Sequence, residues 1–253
     1  FYLSREGKTD EARNIWKQAF SLGNAVSAIA LGVSFKISNN NSEAISWWKK
    51  AVDAKAYSAE QYLSDLYKDS LKDYDNAMYW AKRMLQDKVP GADQRIGLLY
   101  QLQGNTPLAK QYWAKCGDDG NVSCMSLLGI TYYNEKDGPS AVLWAGRAAN
   151  KGFVPAMNLM TRIYSFLLFD PAEAKKWAQK SSSQGDLEGT FSLGGLTAIV
   201  DNDMNRACLL WSQVILKANS LISTNKDQSD TQSWLDKATD QYTKHDCKTV
   251  LGN

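Results

Sequence analysis

A small residue, followed three positions later by an aromatic or hydroxyl-bearing one, returns along this chain at near-constant distance. The pairs are Gly32 with Phe35, Ser64 with Tyr67, Gly97 with Tyr100, Gly129 with Tyr132, Thr161 with Tyr164 and Gly194 with Thr197. The steps between the small residues are 32, 33, 32, 32 and 33 residues. Self-similarity of this period means stacked supersecondary units, each touching its neighbours, and it constrains the architecture before any single residue is read. It names neither a substrate nor a partner.

Each unit reads as two antiparallel helices. In the first, Ala28, Leu31, Gly32 and Phe35 fall at i, i+3, i+4 and i+7 and so share one face. The small residue lets a second helix approach, and the aromatic one turn later fills the space beside it. The second helix carries Trp16, Trp48, Trp80, Trp113, Trp144, Trp177 or Trp211, with Ala12, Ala44, Ala77, Ala109, Ala141, Ala174 or Ala207 three or four positions before. An Ala one turn from a Trp is a helical packing pair. The one-residue slippage means that two adjacent positions compete to hold the indole, and Trp47-Trp48 fills both. So many tryptophans invite a cofactor-box reading, but a period equal to that of the repeat makes them a core ladder.

Boundary signals agree. Thr106-Pro107 and Asp170-Pro171 each place a capping side chain before a Pro at the first helical position, and Glu173 adds first-turn acidity. Gly23, Gly120, Gly152 and Gly185 stand where left-handed caps end the Trp helices. From about Leu221 the pattern lapses into a polar linker, Asn225 to Asp230, and Ser233 to Lys244 reads as a final helix closing the stack. The expectation is an all-α, right-handed solenoid of six to seven helix-turn-helix repeats. Residues 1–220 form the solenoid, its first repeat lacking a first helix, and 221–253 form the linker and C-terminal capping helix. Counting back one repeat puts Phe1 to Leu3 at the end of a helix whose start is absent, so a signal peptide, a lipid-anchoring cysteine or another repeat is expected upstream.

Composition removes several function classes. The 29 Lys and Arg are interspersed with 27 Asp and Glu, without a basic tract, so a nucleic-acid surface is not indicated. The longest apolar runs fall far short of the roughly twenty residues of a membrane helix. The sole imidazole, His245, sits near the end of the chain, where it reads as a solvated surface residue rather than a catalytic base. The carboxylates of Asp118-Asp119, Asp201 and Asp203 lie in interhelical turns, where turn formation and capping explain them without a metal. No glycine-rich phosphate loop occurs, and no cofactor is implied.

Leu31-Gly32-x-x-Phe35 and Leu128-Gly129-x-x-Tyr132, followed by Ala44-x-x-Trp47-Trp48-x-x-Ala51 and Ala141-x-x-Trp144-x-x-Arg147-Ala148-Ala149-x-x-Gly152, resemble the Sel1-like repeat, a relative of the tetratricopeptide repeat. The likeness extends over residues 1 to about 220. Ser64 and Thr161 depart from its Gly. The resemblance implies an adaptor or inhibitor: a protein-binding solenoid with no chemistry of its own. The Cys116-x7-Cys124 placement, from the end of a Trp helix into the next first helix, is similar to that of secreted cysteine-rich members, where the pair forms a disulfide. Cys208 and Cys247 would likewise tie the last repeat to the capping helix. Bridged cysteines favour the periplasm or the exterior. The alternatives are four buried reduced thiols or, with no Cys-x2-Cys pair to favour it, a zinc site.

A partner should use the face that the core does not claim. Positions one and four after the small residue, with one position two before it, supply Asp65, Lys68, Arg95, Gln101, Tyr133 and Arg162. In a stacked solenoid such residues lie on a continuous concave surface and are candidate contacts. With the resemblance, they suggest a periplasmic immunity protein that binds a toxic secreted effector, such as a phospholipase delivered by a type VI secretion system. The alternative is a scaffold or regulator in envelope assembly or signalling.

Overall fold

The computed structural model describes residues 9–224 and 228–252, and the expected helix end at Phe1–Leu3 and the linker residues 225–227 lie outside them. Among the described residues there are 15 α-helices and no strand. They are α1 (Thr9–Ser21), α2 (Val26–Ile37), α3 (Asn41–Asp53), α4 (Ala59–Asp65), α5 (Tyr74–Gln86), α6 (Ala92–Leu102), α7 (Thr106–Asp118) and α8 (Val122–Asn134). They continue as α9 (Gly138–Asn150), α10 (Val154–Arg162), α11 (Pro171–Ser183), α12 (Leu187–Val200), α13 (Met204–Ser223), α14 (Gln228–Lys244) and α15 (Cys247–Leu251). Even-numbered helices from α2 to α12 carry the small residue, and odd-numbered helices from α1 to α13 carry the Trp. The fold is a helical-repeat solenoid, and the chain divides into two compact units, Phe1–Lys115 and Cys116–Asn253.

Packing explains the repeat marks. All seven alanines that precede the tryptophans are buried, so the second helices approach through them. Where the Trp lies four residues after its Ala, the indole reaches over the small residue of the preceding helix. The indole N–H of Trp48 donates to the Ile29 carbonyl at 3.2 Å, that of Trp113 to Gln94 at 3.2 Å, and that of Trp211 to Phe191 at 3.3 Å. Each acceptor lies three residues before Gly32, Gly97 or Gly194. A Cβ at Gly32 or Gly97 would collide with the indole nitrogen, and one at Gly194 would stand 2.6 Å from it. Where the Trp lies three residues after its Ala, an alanine takes the inner place, as Ala145 does against Gly129. The indole is then displaced outward and a cation three residues on covers it. Arg83 lies 5.8 Å from the centre of Trp80, Arg147 4.4 Å from Trp144 and Lys180 3.8 Å from Trp177. Trp47 takes the outer place beside the inner Trp48, with Lys50 at 4.1 Å.

The two steps of 33 residues have a local cause. The units that start at Ser64 and Thr161 contain π-helical turns, Leu66–Leu71 and Ile163–Leu167, which continue α4 and α10. A π turn absorbs one extra residue in a helix. The Leu168 N–H accordingly donates to the Ile163 carbonyl, five residues back, at 3.0 Å.

Several boundaries differ from expectation. The side chain that caps α7 is Asn105, accepting from the Leu108 N–H at 3.2 Å, so Thr106 is the first helical residue rather than the cap. Asp170 caps α11 as its sequence indicates, accepting from Glu173 N–H at 3.0 Å. The lapse near Leu221 is not a helix end, because α13 runs on to Ser223 around buried Val214 and Ala218, and α14 begins at Gln228 rather than Ser233. Gly23, Gly120, Gly152 and Gly185 adopt positive φ, while Lys55 and Lys88 fill the same cap position after α3 and α5.

Candidate protein-binding face

In the Phe1–Lys115 unit, two of the four nominated residues, Asp65 and Arg95, pair with each other. Arg95 of α6 grips Asp65 of α4 through two hydrogen bonds, Nε to Oδ1 at 3.1 Å and Nη2 to Oδ2 at 2.5 Å. A fork-to-fork pair of this kind is strong and orienting. It ties the first helices of successive repeats together. Lys68, in the π turn, is half-buried and pairs with Asp69 at 3.1 Å, and Gln101 is half-buried at the end of α6.

In the Cys116–Asn253 unit, Tyr133 and Arg162 line open clefts. Tyr133 borders one with Asn134, Lys136, Phe166 and Phe169. Arg162 borders a second, of about 320 Å³, between α10 with its π turn and α12, where Phe166, Phe191, Leu196 and Ile199 form the apolar surface. Phe166 is 68% exposed and Ile199 73% exposed, so neither belongs to the core. These residues stand five positions after their small-residue marks, outside the positions chosen from the sequence. Ile37 and Leu102, five after Gly32 and Gly97, are exposed as well. The signal was therefore present: an apolar residue recurring at a register that the packing does not use.

On its other side Arg162 faces Glu188, with Nε to Oε1 at 4.0 Å. Glu188 and Asp186 both accept from the Asn158 side-chain amide, at 3.2 and 2.9 Å, and Asp186 also caps α12 through the Gly189 N–H at 2.7 Å. Burial pushes the Glu188 carboxyl above its ordinary range, and Arg162 partly opposes the rise.

Cys116 and Cys124 form a disulfide with Cα atoms 6.0 Å apart, and Cys208 and Cys247 form a second with Cα atoms 5.4 Å apart, both within the usual span. The second bond joins α13 to α15. His245 is not the solvated residue that its place near the terminus suggested: its ring stacks on Trp211, with centroids 5.4 Å apart and planes at 21°. Among the described residues, no three His, Cys, Asp or Glu side chains gather to hold a metal, and no helix is long and apolar enough to cross a membrane.

One buried cluster went unforeseen. Glu60 of α4 has no exposed surface, and both its oxygens lack a hydrogen-bond partner. Arg83 stands 3.5 Å from Glu60 and 3.5 Å from Asp87, one guanidinium between two carboxylates. Burial, and next the facing Asp87, push the Glu60 carboxyl up to about 7, against the pull of Arg83.

The fold is that of Sel1-like and tetratricopeptide helical-repeat solenoids. Among solved structures, the chain is similar to a protective antigen of uropathogenic Escherichia coli displaying an SLR fold, at TM-score 0.63 and 21% identity over 92% of this chain. The chain spans 57% of that antigen's length. It is similar to a Sel1 repeat protein from Oxalobacter formigenes at TM-score 0.61 and 17% identity, over 93% of this chain and 78% of the other. A tetratricopeptide repeat protein from Parabacteroides merdae matches at TM-score 0.55 and 15% identity, over 94% of both chains. No family model matches the chain, and no curated protein does.

Proposed function

We propose that this chain is a non-catalytic, protein-binding solenoid of the bacterial periplasm that acts as an immunity protein, holding and blocking a toxic secreted effector. The observation that carries this reading is the pair of exposed apolar side chains, Phe166 and Ile199, lining a cleft beside Arg162. Large apolar side chains left in water on a repeat face are characteristic of an interaction surface. Two disulfides support an oxidising compartment. Tyr133 and Arg162 remain candidate contacts in one unit, and Lys68 and Gln101 in the other; the mutual pairing of Asp65 and Arg95 gives those two a bracing role as well.

The deciding experiment is capture from the native envelope with the oxidised protein as bait, together with a Phe166→Asp variant. A single hydrolase that is held tightly, loses activity on binding and is released by the substitution is the expected result. Several envelope proteins held weakly, with no activity lost, would make the chain a scaffold.

A further inference from the structure

Resting on the protein-binding reading, and deepening it, we infer that the Tyr133–Phe166–Ile199 row receives an acidic amphipathic helix of the partner. The row crosses three successive first helices, α8, α10 with its π turn, and α12. Phe166 links its members, since it lines one cleft with Tyr133 and another with Ile199. Neighbouring packed helices lie about 8–10 Å apart, so one apolar anchor is offered at roughly that interval. A helix rises about 1.5 Å per residue, and residues seven apart on one face stand about 10.5 Å from each other. An extended strand covers the interval in about three residues, which places consecutive anchors on opposite faces. The spacing therefore selects a helix laid across the repeats, a known mode of groove recognition.

Charge selects its sign. Among the described residues that line these two clefts, those with formal charge at neutral pH are cations, Lys136 in the first and Arg162 in the second. Arg162 keeps its nearest carboxylate, Glu188, at 4.0 Å, on the side away from Phe166. Opposite charge on the incoming helix steers association and fixes its register. Space is ready as well. Gly194 is required by Trp211, but the adjacent Gly195 has nothing within 4 Å of where a Cβ would stand. That opening lies on the lining of the Arg162 cleft, where an apolar side chain of the partner enters.

The test uses the whole oxidised chain and two synthetic helical peptides as probes. Both carry Leu at every seventh position; one is flanked by Glu and the other by Lys. Anisotropy of the labelled peptides gives their affinities. The acidic peptide is expected to bind at least about tenfold more tightly than the basic one. Gly195→Phe, which puts a ring into the cleft from a position where a Cβ meets nothing within 4 Å, should weaken acidic-peptide binding at least about tenfold, and Arg162→Glu should reverse the preference. Thermal melts check that both variants remain folded. Equal affinity for the two peptides, no measurable binding, or indifference to Gly195→Phe overturns the inference. So does a dimer of the unmodified chain that Phe166→Glu converts to monomer, since the row would then meet a second copy. Envelope capture of an effector that survives Gly195→Phe would overturn the helix assignment while leaving the protein-binding reading intact.

Discussion

Whether an indole stands three or four residues after its alanine decides how its repeat packs. Trp113, four after Ala109, is fully buried over Gly97, whereas Trp144, three after Ala141, is half-buried beneath Arg147. Trp113→Ala is expected to cost about 3–5 kcal/mol, and Trp144→Ala distinctly less, in denaturant unfolding. Equal costs would mean that the outer indole is as structural as the inner one. Gly97→Ala should destabilise by about 1–3 kcal/mol through overpacking, even though alanine is the better helix former. Ser64 and Thr161 are tolerated because Trp80 and Trp177 take the outer place in their repeats. The choice is written in the sequence: Lys50, Arg83, Arg147 and Lys180 follow outer tryptophans by three, while Ala51, Cys116 and Val214 follow inner ones. Glu60 was not legible, since a lone acid on a first helix looks like any solvated residue until the facing helix covers it. Its raised carboxyl means that the folded state binds a proton more tightly than the unfolded chain, so stability falls as pH rises from 4.5 toward about 7. Glu60→Gln should leave stability near pH 4 almost unchanged and raise it at pH 8 by on the order of 3 kcal/mol or less. A variant less stable at pH 8 would show that the charged pairing with Arg83 dominates.

Elements extend the same logic. Periodicity and caps made the helix pairs legible, because every repeat must bury one face against its neighbours. The π turns were present only as two long steps, since a count of residues does not say which one is extra. In the second of them the extra residue accompanies an outward-facing Phe166. Deleting Ser165 in a Thr161→Gly background should restore a 32-residue unit with plain α-helix, re-aiming Phe166. Helical content by circular dichroism and cooperative unfolding should persist while partner capture fails. Loss of cooperative folding would mean that the π turn is needed for packing rather than for presentation.

At the scale of the whole molecule, both disulfides belong to the Cys116–Asn253 unit, and no cysteine occurs in residues 1–115. In the chain-entropy account, closing sequence separations of 8 and 39 residues contributes about 2.6 and about 4 kcal/mol. Reductant should therefore raise amide exchange across α8 to α15 and leave α1 to α6 nearly unchanged. A uniform rise would contradict the assignment of that stabilisation to one unit. The repeat architecture was readable because it is periodic and each mark reports a packing contact, whereas Phe166 and Ile199 recur at a register that core packing does not use, so their period alone did not say that they face outward.

The two bridges also impose an order of events on a chain synthesised from its N-terminus. Cys116 and Cys124 emerge within one helical turn-and-loop of each other and can oxidise while everything after them is still unmade. Cys208 then waits 39 residues for Cys247, as a thiol whose earlier rivals have already been withdrawn. With four cysteines, three pairings exist on paper. The sequence separations make the native one the natural outcome of arrival time, without a need for later reshuffling.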